Sequence, residues 1–258
     1  MRRRVVIPIV IALLAVGGGA ISRAATVQED GLVVRFDADF APHTLPRDKP
    51  APVSVTVAGK VRAADGSHPP ALRWLEIMIN RNGRLRSEGL PTCSSSSLQS
   101  TSTETALDRC RPALVGRGSF QAVVSLGREI PTGGKILAFN SRRGGREALV
   151  LHLFAGTPVR FTLVAPLTIG NLKQGEFGTI LRAQIPKLAS GLGSVTEIDL
   201  TVGRRYSYKG ERRSYVSAAC DAPPDLPGGV FSFARARFRF EGHQTINPPA
   251  LIQECSVR

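Results

Sequence analysis

Apolar residues recur at every second position along much of the chain. Val53, Val55 and Val57 alternate with small or polar residues, as do Leu75, Ile77 and Ile79, and Phe120, Ala122, Val124 and Leu126. The longest run is Val159, Phe161, Leu163, Ala165, Leu167 and Ile169; Phe177, Thr179, Leu181, Ala183 and Ile185 follow, then Ile198, Leu200 and Val202. Side chains of a strand alternate between its faces, so each set predicts one apolar face turned inward and one polar face turned to water. Antiparallel sheets with a single wet face are written this way. Residues 149–154 are apolar at consecutive positions, which predicts a central strand covered on both faces.

Turn chemistry fits the same picture. Asn82-Gly83 lies between residues 75–80 and 84–85 and predicts a two-residue hairpin turn. Arg142-Arg143-Gly144-Gly145 separates residues 136–140 from 147–154, and Lys209-Gly210 and Glu241-Gly242 predict two more reversals. Helical signal is confined to residues 101–110, with Ser102 or Thr103 as cap and Ala106, Leu107 and Cys110 on one side. The prediction is a mainly β protein: an antiparallel β-sandwich or barrel-like domain with at most one or two short helices. Residues 94–103 are rich in Ser and Thr and read as an exposed loop. Residues 41–52 are Pro-rich and read as a link from an N-terminal strand at 32–36 to the main body. There is no internal repeat. A subdivision near Gly170 is possible, although no linker composition marks it.

The start of the chain predicts export. Arg2, Arg3 and Arg4 precede an apolar run from Val5 to Val16, three glycines, and Ser22-Arg23-Ala24, which has small residues where a signal peptidase reads. Residues 1–24 are therefore expected to be a signal peptide, and residues 25–258 a single β-rich secreted domain. The alternative is an uncleaved anchor, but the strongly apolar run is short of the roughly 20 residues that span a bilayer. No cysteine near the cleavage site suggests a lipid anchor. All four cysteines, Cys93, Cys110, Cys220 and Cys255, lie in the exported part, and an even count in an oxidising compartment predicts two disulfides. Of three possible pairings, Cys93 with Cys110 and Cys220 with Cys255 closes the shortest loops at the lowest entropic cost. A secreted or cell-envelope location follows.

The chain carries 34 basic and 20 acidic residues. Cleavage would remove Arg2, Arg3, Arg4 and Arg23 but no acid, leaving a net charge of +10. Such a surface favours anionic partners: wall polymer, lipid head groups, nucleic acid or polysaccharide. An Arg-rich composition also follows simply from a GC-rich genome.

Several strings resemble a group of uncharacterised exported β-rich proteins of high-GC soil bacteria. They are Gly89-Leu90-Pro91-Thr92-Cys93, Ala113-Leu114-Val115-Gly116, Ala138-Phe139-Asn140, Gly175-Glu176-Phe177-Gly178-Thr179 and Arg213-Ser214-Tyr215-Val216-Ser217-Ala218-Ala219-Cys220. The resemblance covers most of residues 25–258. It implies export and a β fold, and it assigns no activity and no site residue.

Reaction chemistry is poorly marked. There is no G-x-S-x-G elbow, and His43, His68, His152 and His243 are scattered. Gly116-Arg117-Gly118-Ser119 and Gly191-Leu192-Gly193-Ser194 read as turns. No H-E-x-x-H, EF-hand or zinc-finger spacing occurs, so no metal and no cofactor is expected. Asp37 with Asp39, and Glu197 with Asp199, each place two carboxylates on one strand face about 7 Å apart. Either pair suits a calcium edge or a glycosidase, or more simply a wet strand face opposite arginine. The most distinctive surface stretch holds Arg204, Arg205, Tyr206, Tyr208, Lys209, Arg212, Arg213 and Tyr215, which include every tyrosine of the chain. Guanidinium forks bind phosphate and carboxylate, and tyrosine faces stack on sugars or bases. Arg235, Arg237 and Arg239 form a second basic stripe on one strand face.

The leading expectation is a non-enzymatic exported or cell-envelope binding or structural module. Its partner would be an anionic cell-wall polymer or polysaccharide, with no specific nucleic acid and no membrane span after cleavage. The alternative is an extracellular hydrolase acting on a polysaccharide or other polymer.

Overall fold

The computed structural model describes residues 24–258. The leader expected over residues 1–24 lies, apart from Ala24, outside the described residues. The first strands are β1 (Ala24–Glu29), β2 (Leu32–Ala41), β3 (Thr44–Leu45), β4 (Ala51–Pro52), β5 (Ser54–Ala63), β6 (Leu72–Asn80) and β7 (Gly83–Leu85). Helices α1 (Ser95–Leu98) and α2 (Thr103–Cys110) follow, then β8 (Leu114–Ser125), β9 (Glu129–Arg143), β10 (Arg146–Ala155), β11 (Phe161–Asn171) and β12 (Phe177–Gln184). The remaining strands are β13 (Gly193–Val202), β14 (Arg205–Tyr208), β15 (Glu211–Ser214), β16 (Val216–Ala218), β17 (Gly228–Phe240), β18 (Thr245–Ile246) and β19 (Leu251–Val257).

The protein is mainly β, and its principal sheet curls into a half-barrel. The strand order is β1-β2-β5-β13-β8-β9-β10-β11-β12-β6-β17-β19-β3, with β18 beside β17. Among the described residues, only β19 with β3 is a parallel pair. The curl brings the two ends of the sheet together across the core. Phe36 of β2 meets Phe238 of β17 edge-on at 5.9 Å, and Gln253 Nε2 of β19 donates to Ala38 O of β2 at 2.8 Å. Gly118 is one place where the bend needs a missing side chain: a Cβ there would lie 1.9 Å from the Asp199 carbonyl oxygen of the neighbouring strand. β11 runs unbroken through Gly170 and pairs with β10 and β12.

The alternating sets face one core, which contains Phe36, Phe120, Ile136, Leu163, Leu167 and Phe238. Residues 149–154 are indeed covered on both faces. Leu149 and Leu153 point into the curled sheet, while Val150 joins Leu137, Phe139 and Val164 in a second cluster on the outer side. The 93–113 excursion covers that cluster with Leu98 and Ala106. Burying each such Val, Leu or Phe contributes about 1.5–3 kcal/mol. Ser102 caps α2 by accepting from the Thr105 N–H, as its sequence predicts. The disulfide Cys93–Cys110 closes the base of this excursion, and Cys220–Cys255 ties the segment after β16 to β19. Both are the expected pairings.

Three local expectations change. Asn82-Gly83 does not fold β7 back on β6. The Asn80 side chain accepts from the Asn82 N–H, and β7 pairs instead with β16, which also pairs with β4. Residues 94–103 are not a wholly exposed loop, because they form α1 and bury Leu98 and Thr101. Leu126 follows the end of β8 and is 52% exposed rather than core. Among the described residues, no helix is long and apolar enough to cross a membrane.

Candidate binding surface

The Tyr/Arg stretch forms a hairpin, β14 against β15, turned by Lys209 and Gly210, both at positive φ. β13 pairs with β5 and β8, whereas β16 pairs with β4 and β7, so the strands before and after the hairpin are not neighbours. The hairpin instead lies down on residues 86–89. The Tyr206 hydroxyl donates to Glu88 O at 2.8 Å, and Arg213 Nη1 donates to Glu88 Oε2 at 2.7 Å. Arg213 also reaches Glu211, at 3.2 Å. The Tyr208 ring covers Gly89 so closely that a Cβ there would sit 2.2 Å from the ring. The Arg213 guanidinium lies over the Tyr208 ring, 4.9 Å from its centre.

Alternation in the ribbon then sorts the eight expected site residues. Tyr206, Tyr208 and Arg213 turn toward the protein and are half-buried. Arg204 Nη1 donates to Pro112 O and Leu114 O, at 2.6 and 2.8 Å, and anchors the start of the hairpin. Tyr215 is buried, and its hydroxyl has no hydrogen-bond partner, so desolvation raises its pKa far above the usual phenol value. Tyr206 also has a raised pKa, chiefly through burial. The Glu88 and Glu211 carboxylates, by accepting from Arg213, raise that guanidinium's pKa further. Arg205, Lys209 and Arg212 remain exposed, with no ion-pair partner among the described residues.

The fold adds cations that the local sequence does not associate with the hairpin. The Ser87 hydroxyl hydrogen-bonds to Glu147, which fixes the start of β10 beside the loop that carries the hairpin. The β9–β10 turn therefore brings Arg142, Arg143 and Arg146, all exposed, to the same end of the molecule. Arg213, Glu88, Arg86 and Glu147 all act electrostatically on the one Tyr206 phenol, which places these charges around it. Residues 84–89, 142–147 and 204–213 together hold ten basic and three acidic residues. Half of the chain's net charge of +14 is thus gathered on 22 residues at this end.

The second stripe, Arg235, Arg237 and Arg239, lies exposed on the outer face of β17. Each member has a local partner. Arg235 lies 5.1 Å over the Phe177 ring, Arg237 Nε donates to Asn247 at 2.9 Å, and Arg239 lies 5.5 Å over Trp74. Trp74, Arg237, Arg239, Thr245 and Asn247 border a shallow cavity of about 250 Å³.

Among the described residues the Glu197/Asp199 pair meets no histidine, and the Asp37/Asp39 pair meets one only at the surface. Glu197 pairs with Lys60 at 3.0 Å and Asp37 with Arg35 at 3.5 Å, as expected for a wet strand face. Asp39 lies 3.4 Å from His43 at the surface. A different line-up does occur: Ser194 Oγ is 3.1 Å from His68 Nε2, and His68 Nδ1 is 3.6 Å from Glu129. Ser194 is only 2% exposed, and its hydroxyl donates to Pro69 O at 2.8 Å. A hydroxyl has one proton, so with that bond made His68 donates to Ser194 rather than accepting from it, the reverse of a general base. Among the described residues, no three His, Cys, Asp or Glu side chains gather as metal ligands.

No family model matches the chain, and neither a curated protein nor a solved structure matches it.

Proposed function

We propose that this chain is a non-enzymatic exported or cell-envelope binding module whose arginine-rich end holds an anionic polymer, a cell-wall polymer or acidic polysaccharide. The observation that carries this reading is the gathering of half the net charge around the docked hairpin. Arg205, Lys209, Arg212 and the Arg142–Arg143–Arg146 turn keep their donors facing solvent. Guanidinium groups pair with carboxylate or phosphate through two parallel hydrogen bonds. The hairpin is already fixed by Tyr206, Tyr208, Arg204 and Arg213, so little backbone ordering opposes binding. Two disulfides suit an extracytoplasmic setting.

Co-sedimentation with purified cell wall and with an acidic polysaccharide tests the reading. Changing Arg205, Lys209 and Arg212 together to Ser should reduce retention at least tenfold at low salt. Folding should be nearly unchanged, since exposed substitutions shift stability by less than about 0.5 kcal/mol each. Equal retention of parent and variant would reject the hairpin as the binding surface.

A hydrolase acting on an extracellular polymer is the competing reading. The Ser194–His68–Glu129 line-up favours it, and the burial of Ser194 opposes it.

A further inference from the structure

β5 and β13 pair only between residues 55–60 and 197–202. Beyond Lys60, β5 continues to Ala63 beside β2 alone, while residues 193–195 of β13 stay with β8 and leave β5, Gly193 bridging Leu188 instead. A bulge between Val195 and Glu197 accompanies this parting. The curled sheet is therefore split along one seam, and its interior opens there. Behind the seam lies a cavity of about 100 Å³ lined almost entirely by carbon, with Leu75, Ile136, Leu153, Leu163, Ala165 and Phe238 on its walls.

Size and lining limit what fits. An apolar cavity of about 150 Å³ stays dry and takes up benzene. A space two-thirds as large takes several carbons of a narrow chain, and the half-buried Val61, Leu72, Val195 and Ile198 extend an apolar track outward along the seam. The rim is mainly cationic. Arg35, which Asp37 meets at 3.5 Å, and Lys60 border it, and Lys187 is exposed between the lining residues Pro186 and Leu188, itself with no ion-pair partner among the described residues. The lining contains one acid, Glu197, held by Lys60 at 3.0 Å with both side chains about half exposed. Such surface pairs are worth about 0–1 kcal/mol, so this one opens readily to a competing anion.

We propose that this seam binds a single aliphatic chain ending in an anionic group, its tail in the cavity and its head among Lys60, Arg35 and Lys187. The site is distinct from the arginine-rich end. Glu197 and Arg204 are separated along β13 by roughly 20–25 Å at the usual rise of a strand. The two sites are therefore open to independent tests.

Titration calorimetry of the folded protein with hexanoate, octanoate and decanoate, below their micelle concentrations, provides the test. Affinity should rise about fourfold per buried methylene, the equivalent of about 0.8 kcal/mol. Decyltrimethylammonium, with the same chain and the opposite charge, should bind at least tenfold more weakly than decanoate. Ala165→Phe, which fills the cavity from its wall, should weaken decanoate at least tenfold. If A165F melts well below the parent, Val195→Phe at the half-buried rim serves instead. Lys60→Glu, at an exposed position, should weaken decanoate at least fivefold, with a small fall in melting temperature from the two acids it sets opposite each other. No decanoate binding at millimolar concentration, or undiminished binding by a folded cavity-filled variant, would overturn the site. Equal affinity for the two head groups, or no effect of K60E, would overturn the anionic head.

Discussion

Lowering the pH from 7.5 to 5.5 should cost this protein stability, by at most about 1.4 kcal/mol, through one buried side chain, His152. Its Nε2 lies 3.0 Å from Thr101 Oγ1 and 3.1 Å from Thr101 O. The Thr101 hydroxyl gives its only proton to Leu98 O, at 2.8 Å, so Nε2 must carry the imidazole proton and donate. Nδ1 is then left buried with no partner. Protonating it would place a cation where nothing accepts its hydrogen. Burial accordingly lowers the His152 pKa below the usual value, against a smaller opposing effect of the Thr101 hydrogen bond. An unfolded His takes up its proton near pH 6.5, so below that pH the unfolded state binds more protons than the folded one. The stabilisation is complete above about pH 6.5 and declines as the pH falls toward the folded pKa, by at most about 1.4 kcal/mol per unit. Carboxylates and the other histidines also titrate, so the readout is a difference. His152→Gln keeps an N–H donor in reach of Thr101 and does not titrate. Urea unfolding of both proteins at pH 7.5 and 5.5 should show the parent losing more than H152Q, by up to about 1.4 kcal/mol. Equal losses would refute the assignment of this histidine as a neutral donor.

Replacing Cys93 and Cys110 by Ser should destabilise by about 2–4 kcal/mol and speed hydrogen exchange across residues 95–110; unaltered exchange there would show that packing alone holds the excursion. Gly89→Ala sets a Cβ 2.2 Å from the Tyr208 ring at a φ of +83°. It should cost about 1–3 kcal/mol and expose residues 205–213 to proteolysis, and an unchanged cleavage pattern would contradict the docked hairpin. Ser194→Ala should cost about 1–3 kcal/mol by leaving a buried partner unsatisfied, and a fluorophosphonate should not label the parent. Labelling at Ser194 would revive the hydrolase reading.

Alternation, helix capping and short disulfide loops were legible because each depends on residues close in sequence. The apolar run at 149–154 even announced a cover on its outer face, although nothing local named α1 and α2 as that cover. Where the sequence reading failed, a distant partner had displaced a local one. Asn82-Gly83 has the composition of a hairpin turn, yet β7 finds β16 more than 100 residues away. Composition alone singles out the eight residues of the Tyr/Arg stretch. Which of them face solvent depends on Glu88, Gly89, Pro112 and Leu114, which lie far upstream. The parting of β5 and β13 leaves its local trace in β13 alone, where the apolar phase slips between Val195 and Ile198 at the bulge. The contribution of the Arg142–Arg146 turn to the basic end likewise depends on the contact between Ser87 and Glu147.

The most direct measurement for the arginine-rich end is its affinity for an acidic polysaccharide as a function of salt. It should be made for the parent, for the Arg205/Lys209/Arg212→Ser variant and for an Arg142/Arg143/Arg146→Ser variant. Exposed charges are screened beyond about 8 Å at physiological ionic strength, so parent affinity should fall steeply as salt rises. If the two arginine groups form one surface, each triple variant should bind more weakly than the parent at low salt and depend less on salt. Salt-independent binding, or two variants that follow the parent's curve, would contradict it.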